Sequence, residues 1–172
     1  LDKYVAMTRD WVDVDVKEKK QRAVIRIESN DFIKWENPKQ VLVGQNFNLQ
    51  TYAMPYFFYE GVYLGLVAIH DQKSDRVWTE LAWSPDTINW TRIDVGNPLI
   101  PNSEIKLDYD YGCVYACAAP IIKKDKIEIF YGSSDYRHSG WRNGSFSMAT
   151  LRTDGFAGYK QINAKKEGII IT

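Results

Sequence analysis

The sequence predicts an all-β protein built from repeated antiparallel units, of the length found in propeller blades or solenoid repeats. Apolar residues alternate in runs of strand length, and no segment shows a helical period of useful length. A turn signature occurs three times, at Ile27 to Trp35, Leu81 to Trp90 and Ala149 to Phe156. Each copy ends an alternating run and then places an Asp, at 31, 86 and 154; in the first two a Trp follows four residues later. The copies stand about 55 and about 68 residues apart, enough for a whole supersecondary unit each. Aromatic residues make up 14% of the chain, and such rings either pack between sheets or stack on sugars and bases.

Taken in order, Lys3 to Arg9 reads as a first strand, Asp10 to Lys20 as a charged loop and Arg22 to Glu28 as a second strand carrying the first turn. Pro38 to Val43 reads as an edge strand, since proline cannot donate to a ladder. Thr51 to Tyr59 and Val62 to His70 form a hairpin through Glu60-Gly61. Val77 to Ser84 leads into the central turn, and Trp90 to Val95 closes that unit. Gly112 to Ile122, Lys126 to Gly132 and Ser145 to Arg152 repeat the plan.

In each turn the Asp side chain is expected to accept backbone N–H groups and pin the bend. Asp31, Asp86 and Asp154 are therefore structural residues. Glu80, in mid-strand, reads either as an acid or, the favoured reading, as the partner of a cation inside the sheet, because mid-strand carboxylates usually pair. Cys113 and Cys117 read as two small buried thiols: on one strand they would lie roughly 13 Å apart, too far to bridge.

With 172 residues, 45% of them hydrophobic, the chain has enough apolar surface for a sizeable core. Lys plus Arg and Asp plus Glu number 22 each, so no global field holds nucleic acid or an anionic membrane. No apolar run approaches the roughly 18 residues of a spanning helix.

Aligning the units matches Tyr63 to Leu66 with Ile127 to Phe130 and with Tyr4 to Met7. On this alignment the units cover about 1–48, 49–107 and 108–163, and 164–172 starts a further strand or domain. The second and third units have four strands, A to D; the first starts at strand B. The expectation is an incomplete ring, a piece of a longer protein, whose uncovered edges invite self-association.

Several motifs resemble the five-bladed β-propeller glycoside hydrolases, families 32 and 43 and their bacterial relatives. They are Met54-Pro55-Tyr56-Phe57-Phe58-Tyr59-Glu60-Gly61-Val62-Tyr63, Leu81 to Asp86 with Trp90, Ala119-Pro120-Ile121-Ile122, Phe130 to Ser133 followed by His138, and Ala149 to Phe156. The resemblance implies a partial five-bladed β-propeller of about three four-stranded antiparallel blades. It also implies a saccharide ligand, a bacterial source and a secreted or periplasmic location. It places catalytic carboxylates on strand A two residues before a proline, where this chain has Ala53 and Ala118. Catalytic residues are therefore not assigned, since glycoside hydrolysis needs two carboxyl groups. No cofactor is implied, and a structural calcium ion in the channel is left open.

The ends of strands B and the starts of strands A are expected to share the face that binds ligand. Arg9, Asp10, Tyr52, Asp110, Asp135, His138 and Trp141 are the candidate binding residues there, with His138 the leading one. They combine hydrogen-bonding groups for vicinal hydroxyls with a flat ring for a sugar face. His70 reads as an ordinary loop residue satisfied locally. The competing reading is a propeller that binds a glycan or a protein without cleaving it.

Overall fold

The computed structural model describes residues 2–13, 19–159, 161 and 166–169, and no helix occurs among them. Strands β1 (Tyr4–Asp13), β2 (Lys20–Ser29) and β3 (Glu36–Val43) form an antiparallel sheet in that order. In the second unit, β6 (Val62–Asp71) pairs with β4 (Leu49–Ala53) and β5 (Tyr56–Tyr59) on one side and β7 (Arg76–Ser84) on the other. β8 (Thr91–Ile93) closes it on β7. The third unit repeats this, with β11 (Lys126–Ser134) between β9 (Cys113–Ala116) and β10 (Ile121–Ile122) on one side and β12 (Gly144–Arg152) on the other. A single parallel pair, Val77 and Cys113, joins the second unit to the third.

Two expected strands are interrupted at equivalent places. Thr51 to Tyr59 breaks at Met54-Pro55, where the register shifts and the Leu66 N–H donates to the Pro55 carbonyl at 2.9 Å. Gly112 to Ile122 breaks over Cys117 to Pro120. Proline lacks the ladder donor, so each strand kinks there rather than running through. The loop expected from Asp10 is also corrected: β1 runs on to Asp13, which pairs with Lys20. Residues 14–18 lie outside the described residues, as do 170–172 of the expected final strand; Gly168 and Ile169 are not in a strand. The Glu60-Gly61 hairpin has positive φ at both residues, 43° and 86°, as a tight primed turn requires.

β6 holds the units together because both its faces are buried. Leu64 and Leu66 pack with Val114, Ile127 and Ile129 toward the third unit; Val67 and Ile69 pack with Val24, Met54 and Trp90 toward the first sheet. Each such side chain stabilises by about 1.5–3 kcal/mol. Gly65 makes room for this: a Cβ there would come 2.9 Å from the Trp90 ring.

The first two turns share one geometry. Asp31 Oδ1 accepts the N–H groups of Ile33 and Lys34 at 2.8 Å, and Asp86 Oδ1 accepts those of Ile88 and Asn89 at 2.8 and 2.7 Å. A serine two residues earlier donates to each Asp. The third copy departs from expectation, because Asp154 takes the Tyr59 hydroxyl while the Gly155 N–H closes the turn on the Arg152 carbonyl. Glu80 is fully buried and pairs with Arg92 as expected, its other oxygen taking the Trp78 indole N–H at 2.8 Å. Cys113 is buried, but Cys117 is only partly so; both are free thiols.

Candidate functional site

Strand ends from all three units bring a group of rings together around Tyr52. The β-bulge between Thr51 and Ala53 turns Tyr52 out of the ladder, with its ring centroid 4.9 Å from His138, 5.6 Å from Tyr115 and 6.0 Å from His70. His70 and His138 stand 4.6 Å apart. Arg9 and Arg22, from the first sheet, lie 4.6 and 5.2 Å from the Tyr52 centroid.

Hydrogen bonds fix the two imidazoles differently. His70 is buried; its Nε2 donates to Asp75 Oδ1 at 2.9 Å, and its Nδ1 accepts from Gln72 Nε2 at 2.8 Å. His138 Nδ1 meets the Tyr115 hydroxyl at 2.9 Å. The loop carrying His138 is tied back by Asp75, whose carbonyl accepts the His138 N–H at 2.7 Å and whose Oδ2 accepts the Ser139 N–H at 2.8 Å. It also lies tight on Gly112, where a Cβ would fall 1.6 Å from the Tyr136 carbonyl oxygen. Only glycine permits that approach.

Burial, then His70, Arg142 and Arg22 hold the His138 imidazole below its ordinary pKa, with Asp75 opposing. Burial, followed by Arg9, also lowers Arg22. Burial, followed by Cys113, pushes the Tyr115 hydroxyl far up, so it stays protonated and able to donate.

The candidate residues divide on this geometry. Arg9, Tyr52 and His138 come together. Asp10 does not join them: as the neighbour of Arg9 on β1 it faces the other side of the sheet, paired with Ala23, and accepts the Trp11 N–H. Asp110 is buried and turned to the Tyr131 hydroxyl at 3.1 Å. Asp135 holds the base of its own loop through Asn143, and Trp141 projects into solvent, 82% exposed.

His70, Arg22, Asp75 and Tyr115 complete the group; His70 is satisfied locally, by Gln72 and Asp75, as expected, but it stands near the end of β6 rather than in a loop. A signal for Tyr115 exists in the chain: Tyr52-Ala53 and Tyr115-Ala116 recur in corresponding strands. Calcium does not fit the ring group, because it takes six to eight oxygens. Here both oxygens of Asp75 are occupied, and no metal-binding set of three His, Cys, Asp or Glu occurs among the described residues.

Beside the rings runs a cleft of about 620 Å³, bounded by β1 and by the kinked second-unit strand. Arg9 and Tyr52 line it at one end, and both Ala53 and Ala118 open onto it. No carboxylate is among the described residues that line it.

No protein-family model matches the chain, and no curated protein does. Solved structures do match. A glycoside hydrolase superposes with a TM-score of 0.67 at 18% identity, over 85% of this chain and 40% of its own. A complex of BT0996 with RGII gives 0.68 at 17%, over 91% and 43%. The Bombyx mori GH32 β-fructofuranosidase BmSUC1 gives 0.60 at 14%, over 90% and 33%. The chain thus spans less than half the length of these proteins, and its fold is that of the β-propeller glycoside hydrolases.

Proposed function

We propose that this chain contributes part of the saccharide cleft of a carbohydrate-active β-propeller, its three units being blades of a five-bladed ring. The observation that carries the reading is the cleft beside Tyr52, formed where strands of all three units meet. It has the makings of a sugar site, with an aromatic face and guanidinium donors at one end. Two of the similar structures hold RGII and, in a mutant of the fructofuranosidase, sucrose.

Ala53 and Ala118 favour binding over cleavage by these residues, since neither can move a proton. Hydrolysis by the whole protein would draw its carboxyl pair from elsewhere. The test is calorimetric titration of the full-length protein with β-linked and fructosyl oligosaccharides, alongside turnover of reporter glycosides. Binding weakened by Arg9→Ala, at an exposed strand position, with thermal stability unchanged supports the reading. A folded protein that neither binds nor cleaves any of them overturns it.

A further inference from the structure

We infer that the saccharide taken by this cleft carries a carboxylate, held by Arg9 with Arg22 behind it; this rests on the saccharide reading above. Three guanidinium groups, of Arg9, Arg22 and Arg142, gather around the rings. None of the ion pairs among the described residues includes Arg9, Arg22 or Arg142. The carboxylate of the group, Asp75, is spent on His70 and Ser139.

The arginines are not equally engaged. Arg142 props its own loop through the carbonyls of His138 and Gly140. Arg22 gives Nη1 to Gln50 Oε1 at 3.1 Å and lies over Trp11 and Tyr52, but its buried Nε has no partner. Arg9 lines the cleft, its guanidinium carbon 4.6 Å from the Tyr52 centroid. Cross-strand register puts Arg9 and Arg22 on one face of the first sheet, since Arg9 pairs with Val24 and Trp11 with Arg22.

Two nearby guanidiniums repel each other until an anion arrives. Guanidinium only donates and a carboxylate only accepts, so the planar fork suits a uronate better than a hydroxyl, which both donates and accepts. The described lining holds no carboxylate to compete with such an anion for the arginine.

The test titrates the full chain with a hexuronic acid oligosaccharide and with its methyl ester, at low and high salt. The acid should bind roughly 10- to 100-fold more tightly than the ester, the range expected of a charge-assisted pair, and salt should narrow the gap. In Arg9→Gln, at an exposed strand position that leaves the thermal midpoint in place, the acid should fall to the level of the ester. Equal binding of acid and ester by the unaltered chain overturns this inference and leaves the saccharide reading standing. So does a preference for the acid that survives both Arg9→Gln and Arg22→Gln. Failure of acid, ester and neutral oligosaccharides alike overturns both.

Discussion

His70 and Asp75 hold each other at 2.9 Å, and through that contact the second unit positions a loop of the third. Asp75 sits in a left-handed conformation at φ 56°, turned so that its carboxylate and carbonyl both reach the segment carrying His138 and Ser139. The partners stand five positions apart in the chain, but the segment they capture lies more than 60 positions away.

Asp75→Ala should release that segment. Loss of each hydrogen bond to an ionised acceptor costs about 1.5–3 kcal/mol where the group is sheltered, and less here because Asp75 is partly exposed. Amide hydrogen exchange at His138 and Ser139 should rise by roughly tenfold or more, with core amides of β6 slowed or quickened only by the global change. Protection unchanged at Ser139 would show that the clasp does not hold the loop.

Stability should fall with acidification through the range of His138. Its native pKa is lowered, chiefly by burial, so the unfolded chain takes up the proton first as pH drops. The contribution is fully present above about pH 6.5 and is lost as pH falls through the native value. Urea midpoints measured from neutral to mildly acidic pH should show this step, and His138→Gln should remove it.

A second acid-sensitive step belongs to the central turn. The Asn89 and Ile88 N–H groups hold the Asp86 carboxyl at about 2, so its contribution is present above pH 3.8 and is lost as pH falls toward that value. Asp86→Ala should lower the thermal midpoint by roughly 2–4 °C and flatten the pH dependence below 4. Asp154→Ala should not reproduce this, because its carboxylate serves Tyr59 rather than its own turn.

Breaking the buried pair in the second sheet should be the costliest single change. Arg92→Ala strands Glu80, which has no solvent exposure, and should destabilise by about 3–5 kcal/mol. Replacing Glu80 and Arg92 together by Gln and Met should recover much of that in chemical denaturation. A double variant as unstable as Arg92→Ala would mean that packing, not the stranded charge, sets the loss.

Strand positions were legible because they depend on local alternation: β2, β6, β7, β11 and β12 lie within two residues of their expected limits. The pinned turns were legible for the same reason, since Ser84, Asp86 and Asn89 are close neighbours in sequence. Where a proline kinks a strand the alternation persists but the ladder does not, so β4 and β5 read as one element. The third turn looked equivalent because its Asp and Gly were in place; Tyr59, its actual partner, is 95 residues away.

The candidate site was only half legible. Strand ends known to share a face nominate Arg9, Tyr52 and His138, and these do meet. The same reasoning nominates Asp10 and Asp110, which a one-residue change of face and a turn toward Tyr131 remove from the group.

By itself the sequence determined the all-β class, the repeated meander and the first two pinned turns. Those follow from side-chain period and turn chemistry, which act over a few residues. Only the tertiary structure decided that His70 faces His138, that Asp75 clasps a distant loop, and that Arg9 and Arg22 share Tyr52. These depend on which faces of three separate units are pressed together, and that is set by the burial of both sides of β6 rather than by any motif near the residues concerned.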